Sequence, residues 1–316
     1  MGVAIGESGA GPAAQSVIAD YFPPHQRSRA MSVYSLGILL GIMVGYTTGG
    51  WVNEQFGWRL AFMVVGLPGV AVALLLRLTM QEPVRGASEG RTASVEAPRF
   101  NETLHYLWNC LTYRHMVFAA ALHALASYGL VTWAPSYFIR SHHLGTGEIA
   151  LFLGVSLGIG GGLGTLAGGF ISEKLAVRDA RFNLWVPGLA GVISIPFLYA
   201  VFLVPDPRLG LMLYAIPAFF GSFWSGPIHA VGQTIVRLRM RAMSAAGMLF
   251  VINLIGLGLG PQIVGILSDM LNPEFGVESL RYALLIIVPI NIWAAIHYWL
   301  GARNLHKDLE NVRAHT

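Results

Sequence analysis

The chain alternates long apolar runs with short polar intervals. Nine runs approach or exceed membrane-spanning length: about Met1–Tyr21, Ala30–Val52, Trp58–Met80, Met116–Phe138, Ile149–Ile171, Leu184–Val204, Leu209–Val236, Ala242–Met270 and Tyr282–Leu300. A helix that crosses a bilayer needs about 20 apolar residues. The pattern therefore predicts an all-α integral membrane protein with nine spans. The longest interruption, 81–114, opens with the Pro-, Gly- and Ser-rich string QEPVRGASEGRTASVEAPR, which reads as a linker. Its second half carries Phe100, Leu104, Leu107, Trp108 and Leu111 at helical spacing between Arg99 and Arg114. A stripe that short suits a helix lying in the membrane interface. The expected organisation is a three-helix unit at 1–80, a linker with an interfacial helix at 81–114, a six-helix unit at 115–301 and a polar tail at 302–316.

Composition agrees with the pattern. Hydrophobic residues make up 54% and charged residues 11% of the 316, against roughly 25% charged in soluble domains. That balance excludes an ordinary soluble enzyme, a disordered chain and a nucleic-acid binder. The 38 glycines suit helices packed backbone to backbone in lipid. Cys110 is the single cysteine, so neither a disulfide framework nor a Cys-based zinc site is available. The start lacks a basic leader segment, and no cleavable signal is expected.

Charge then gives the chain a direction. On one side of the nine spans lie Arg27, Arg29, Arg77, Arg85, Arg91, Arg99, Arg114, Lys174, Arg178, Arg181, Arg237, Arg239, Arg241, Arg303, Lys307 and Arg313; on the other lie only Arg59, Arg140, Arg208 and Arg281. Basic loops stay cytoplasmic. The linker and the C-terminus are therefore expected inside a multi-pass cell (inner) membrane protein, and Met1 outside.

A long-period repeat adds a second layer. Arg27-Ser-Arg29-Ala30-Met31-Ser32 recurs as Arg239-Met-Arg241-Ala242-Met243-Ser244. Gly11-Pro12 and Gly226-Pro227 precede the two copies, and Gly41/Gly45 and Gly256/Gly260 follow them. The copies stand six spans apart with both basic loops inside, which defines parallel six-helix halves. The later copy occupies the fourth and fifth helices of its half, so three helices are expected to be missing ahead of the earlier one.

Tandem six-helix halves with basic motif loops resemble the major facilitator superfamily, whose members have twelve helices; the chain looks like helices four to twelve. Gly6-Glu7-Ser8-Gly9 with Pro12, Ile18-Ala19-Asp20-Tyr21-Phe22-Pro23-Pro24, Gly57-Trp58-Arg59-Leu60-Ala61-Phe62, Gly66-Leu67-Pro68-Gly69 and Glu82-Pro83-Val84-Arg85-Gly86 are similar to the spinster-like branch. Members of that branch move lysophospholipids or sphingolipids, often with proton coupling. Anion:cation symporters share the acidic fourth helix, the Phe-Pro loop and the Gly-Trp-Arg element. Two departures stand out. Tyr46 follows Gly45 where the antiporter-type glycine motif carries Pro, and the Arg that the spinster-like pattern sets seven residues before its helix-four Glu would fall just ahead of Met1.

Glu7 is the candidate coupling residue, about 20 Å from Asp20 along its helix at 1.5 Å per residue. An acid at that depth is costly unless paired or hydrated, which makes function its default reading. His123, Tyr128, Trp224, His229 and Asn253 are candidates for the transport pathway. His123 titrates near neutrality, Tyr128 pairs an aromatic face with a hydroxyl, and Trp224 and His229 flank Gly226-Pro227, where a helix break frees carbonyls. Asn253 and Asn291 are deep amides, which commonly hold helices together. Asp20, Arg27, Arg29, Glu173, Lys174, Arg178, Arg239 and Arg241 form a candidate cytoplasmic gate, with enforcement of topology as their minimum role. Gly41, Gly45, Gly49 and Gly50, and the ladder Gly154, Gly158, Gly162 with Gly160, Gly164, Gly168, permit close helix packing.

Gly162-Leu-Gly164-Thr-Leu-Ala167 matches a relaxed dinucleotide fingerprint without its strand, and Asn101-Glu-Thr103 is a glycosylation acceptor on the cytoplasmic side; neither is expected to act. No cofactor, metal or nucleic acid is implied. The expected function is secondary transport by alternating access of an amphiphilic, lipid-like solute, coupled to protons, by a monomer in the lipid bilayer. The alternatives are a small organic-anion:cation symporter and a transport-incompetent membrane fragment.

Overall fold

The computed structural model describes residues 24–80, 100–237 and 240–313, together with Tyr21. Side chains of 24–36, 38, 39, 241, 242 and 313 also lie outside the description. Every regular element among the described residues is a helix. α1 (Pro24–Phe56) and α2 (Trp58–Thr79) form an antiparallel pair joined at Gly57. α3 (Phe100–Asn109) is the short helix expected from the linker stripe. α4 (Leu111–His142), α5 (Thr146–Ala176), α6 (Phe182–Leu203) and α7 (Pro207–Thr234) follow. α8 comprises Arg241–Ile252, a π-helical stretch Asn253–Leu259 and Gly260–Phe275. α9 runs through Ser279–Ile287 and, past Pro289, Ile290–Arg313. Six stretches among the described residues are long and apolar enough to cross a membrane, the last of them, Met243–Val312, containing most of α8 and α9.

α4 is the axis of the second unit. Ala119 to Ala126 are eight consecutive buried residues, and a helix that is apolar all round has neighbours all round. α9 and α8 pack along it, while α6 packs against α9, α7 and α5. Two apolar clusters result. One joins Tyr113, Met116, Leu184, Ile228, Met248 and Tyr298; the other joins Leu130, Tyr137, Phe138, Phe202, Leu211 and Leu284. In contrast, Ala61 is the one buried residue of α2.

The glycine ladder of α5 serves two neighbours. A Cβ at Gly154 would stand 3.0 Å from Thr47 Cγ2, and one at Gly158 2.5 Å from Met43 Cβ, both on α1. On the other face, Gly160, Gly164 and Gly168 meet Ala215, Phe219 and Phe223 of α7. In α8, Gly256 and Gly260 lie against Ala124, Leu125 and Gly129 of α4. Among the described residues, Gly41 and Gly45, their repeat counterparts, have nothing within 4 Å of a Cβ. Gly49 meets Val65 across the α1–α2 pair, and Gly50 abuts Ala150. Among the described residues of α1, close packing runs from Met43 to Glu54, near its C-terminal end.

Polar contacts close that end. Glu54 Oε2 accepts the Gly147 N–H at 2.9 Å, and Asn53 Nδ2 donates to Thr146 Oγ1 at 3.3 Å. A carboxylate at the first turn of α5 is favoured by its unpaired amides and dipole. Beside it, Arg208 Nε pairs with Glu148 Oε1 at 2.6 Å, tying the start of α7 to the start of α5.

At the opposite end, Asp308 of α9 caps α4 by accepting the Thr112 N–H at 2.9 Å, and the Cys110 thiol lies 3.4 Å from the same oxygen. α3 docks here through Tyr106, whose hydroxyl donates to Ile235 O at 3.0 Å. Burial, then the Asp308 charge, pushes the Cys110 thiol up to about 12. Only the thiolate is a good nucleophile. Alkylation of Cys110 by N-ethylmaleimide at pH 7.5 is therefore expected to run at least about 100-fold slower than that of free cysteine. Labelling within the same minutes as free thiol would contradict this packing.

Candidate functional site

α7 is broken where its sequence requires a break. Pro227 has no N–H to offer and its ring crowds the carbonyl one turn earlier. The helix pauses at Ser222–Trp224 between Ala215–Gly221 and Ser225–Thr234. The ring of His123, from the buried middle of α4, takes advantage of that pause: its Nε2 lies 2.8 Å from Gly221 O, so Nε2 carries the proton and donates. Asn291, at the start of the long segment of α9, is 3% exposed and donates through Nδ2 to Val288 O at 3.2 Å.

Between the two apolar clusters these groups border a cavity of about 170 Å³. Its wall holds His123 and Ser127 from α4, Ser194 from α6, Tyr214, Ser222 and Trp224 from α7, and Asn291 from α9. Leu130, Leu198 and Ala218 close it on the side of the second cluster. The Trp224 ring lies 5.9 Å from the His123 ring. Ser194 Oγ donates to Gly191 O at 2.7 Å and Ser222 Oγ to Ala218 O at 2.8 Å, so both hydroxyl protons are already engaged by backbone. Leu157, in the π-helical stretch Ser156–Gly160 of α5, also lines it. Such irregular turns recur where helices serve function.

Of the pathway candidates, His123 and Trp224 come together here. His229 does not line the cavity; its Nδ1 stands 2.6 Å from Ser225 O in its own helix, which satisfies it locally. Tyr128 and Asn253 are exposed and also off the lining. Tyr128 lies beside Gly256, with its Cδ2 3.3 Å from where a Cβ would stand, and Asn253 opens the π-helical stretch of α8. Glu7, Asp20 and Arg239 lie outside the described residues, as do the side chains of Arg27, Arg29 and Arg241. Glu173, Lys174 and Arg178 are exposed at the C-terminal end of α5 and in the turn after it.

In that turn a neighbouring carboxylate makes the contacts. The Arg181 N–H donates to Asp179 Oδ1 at 2.9 Å and holds the carboxyl below its usual range, aided by His306 Nε2 at 3.0 Å. This pairing is complete above the ordinary carboxylate range and is lost as pH falls through the lowered value.

Sequence reasoning passed over Ser127, Ser194, Ser222 and Tyr214. Single hydroxyls inside apolar runs were their only signal. It also passed over Asn53, Glu54, Thr146 and Gly147, which sit at the ends of runs 93 residues apart. Tyr46, which occupies the Pro position of the glycine motif, packs from α1 onto the second cluster of the larger unit.

The fold has close parallels among known proteins. The sequence profile of the Major Facilitator Superfamily matches residues 1–252. An MFS-type efflux pump of Mycolicibacterium smegmatis is 32% identical over 313 residues, covering 98% of this chain and 71% of the pump. Protein spinster homolog 1 of Xenopus tropicalis is 26% identical over 332 residues, covering 97% of this chain but 62% of that protein, so the chain spans less than two thirds of its length. Among solved structures, a bacterial homolog to the human lysosomal transporter Spinster, inward-facing and unoccupied, superposes with a TM-score of 0.81 at 30% identity, over 97% of this chain and 77% of that one. Its inward-facing, occupied form gives 0.75 at 29% identity. The chain therefore belongs to the Major Facilitator Superfamily, a family of multi-pass membrane transporters of small molecules rather than enzymes, with spinster homologues among its relatives.

Proposed function

We propose that the chain works as a secondary active transporter by alternating access, moving an amphiphilic, lipid-like solute such as a lysophospholipid with coupling to protons. The observation that carries this reading is the polar cavity deep in the second unit, walled on one side by a broken helix. Interrupted helices place their free backbone groups where a substrate passes. The efflux-pump and spinster relatives support the transport class.

The chain is read as nine spans with the basic loops cytoplasmic. On that orientation the Asn53–Thr146 and Glu54–Gly147 contacts lie at the external end, closing it. This is the arrangement of an inward-facing state. Glu173, Lys174 and Arg178 then lie on the cytoplasmic face, where pairing with the Asp20, Arg27, Arg29, Arg239 and Arg241 cluster would close the opposite gate. Glu7 is assigned the coupling proton. Gly41 and Gly45 are assigned a docking face for three further helices, because their counterparts Gly256 and Gly260 pack on the first helix of the second unit.

An organic-anion carrier requires a cation in its site, and among the described lining residues there is no Lys or Arg. The amphiphile reading is favoured accordingly. The test is uptake of labelled lysophospholipid by proteoliposomes, with the chain co-reconstituted with the first three helices of the Mycolicibacterium smegmatis pump. Uptake is expected to rise at least about tenfold with an imposed pH gradient, since one proton carries roughly 2.3 kcal/mol per 100 mV, and Glu7→Gln is expected to remove that rise. Uptake indifferent to the gradient would end the proton-coupling claim, and no uptake at all would favour a transport-incompetent fragment.

A further inference from the structure

The cavity wall is polar in an unequal way, which singles out one class of ligand. His123 Nε2–H is spent on Gly221 O, which leaves Nδ1 of the neutral ring as a bare acceptor. Asn291 Nδ2 is turned to Val288 O, while its Oδ1 is buried without a hydrogen-bond partner. Ser194 and Ser222 have given their hydroxyl protons to backbone and offer lone pairs only. Gly191 lies beside both atoms: a Cβ there would stand 3.7 Å from His123 Nδ1 and 3.9 Å from Asn291 Oδ1. An unpaired buried acceptor is costly, and the group that relieves several at once is one with several N–H donors.

We propose that this part of the cavity is a subsite for a primary ammonium group, held by His123 Nδ1 and Asn291 Oδ1 beside the face of Trp224, and that occupancy excludes protonation of His123. The proposal rests on the transport reading and deepens it. A proton added to Nδ1 turns that atom from acceptor to donor and directs it at Asn291 Oδ1, so the proton and the ammonium compete for the same two lone pairs. A cation also gains from the indole face, and the cavity is partly open, which lets the ammonium keep some hydration. Tyr214 is the one other titratable group among the described lining residues, which include no carboxylate and no Lys or Arg. The switch at this subsite is therefore assigned to His123, separate from the coupling proton assigned to Glu7. The exchange needs no covalent step: one proton enters on Nδ1 as one ammonium leaves.

The test uses the purified chain in lipid nanodiscs and three short probes read by ligand-observed NMR: hexylamine, hexanol and hexyltrimethylammonium. At pH 8 hexylamine is expected to bind at least tenfold more tightly than hexanol, which lacks the charge, and than the quaternary probe, which lacks N–H donors. At pH 5 that preference is expected to vanish. His123→Gln keeps a donor and an acceptor without titrating and is expected to retain hexylamine at both pH values. Gly191→Ala places a methyl at van der Waals distance from both acceptors and is expected to evict the amine with an unchanged thermal midpoint. Equal binding of hexylamine and hexanol, or an unchanged pH response in His123→Gln, would overturn the proposal. These equilibrium readings need no transport, so their failure stands apart from a failure of lysophospholipid uptake.

Discussion

Gly168→Ala is expected to lower the midpoint of thermal unfolding by roughly 5 °C or more, and Gly168→Val to prevent the second unit from assembling. A Cβ at this position would stand 2.5 Å from Phe223 Cα and 2.6 Å from Phe223 O, and one at Gly164 would overlap the Phe219 carbonyl. These neighbours are backbone, which cannot rotate aside as a side chain does. Relief requires α5 and α7 to separate, and overpacking of this kind costs about 1–3 kcal/mol for a single carbon, more for a branched side chain. Gly169 supplies the control, since nothing lies within 4 Å of its Cβ position. Gly169→Ala is expected to leave the midpoint unchanged or raise it slightly through helix propensity. Unfolding followed by tryptophan fluorescence in detergent checks both variants, and equal midpoints for the two would contradict the α5–α7 contact.

Gly50→Leu is expected to reduce lysophospholipid uptake at least about tenfold while the protein stays folded. Gly50 lies where α1 meets α5; a Cβ there would overlap that of Ala150 and come within 3.1 Å of Thr146 O. A leucine forces the two units apart at this end and pulls Glu54 from the Gly147 amide and Asn53 from Thr146. The closure proposed for the external end then cannot form, and one of the two states needed for alternating access is lost. Gly45→Leu meets open space and is expected to change uptake little in the chain alone, although it would block any helix that docks there. The pair of variants separates a specific contact from a general intolerance of bulk in α1.

Much of this architecture is legible in the sequence. The helix order, the short helix in the linker and the break near Pro227 follow from apolar run lengths, stripe spacing and proline chemistry, all local properties of the chain. The α5 glycine ladder also announced close packing, but not its division into one face for α1 and another for α7, because small residues reveal a gap and not what fills it. The site was half visible. His123 and Trp224 signalled themselves as rare polar and aromatic groups, whereas Ser194 and Ser222 acquire meaning only when helices distant in sequence converge. Asn291 reads in sequence as interhelical glue; its unpartnered oxygen becomes apparent only in the packed chain. Glu54 lies just past an apolar run and looks like a loop acid, until the first turn of α5 supplies the amide it binds. Tyr128 and Asn253 are exposed and lie off the lining of this cavity.

The central claim is that the two units part and close at the α1–α5 contact. Spin labels on Gln55→Cys and Arg140→Cys, both exposed near that end, report it by double electron–electron resonance in nanodiscs, with buried Cys110 left unlabelled. Without solute a single short distance is predicted, and with lysophospholipid at low pH a second, longer population, which Gly50→Leu populates without any solute. One distance, unmoved by solute, pH or Gly50→Leu, would contradict the account.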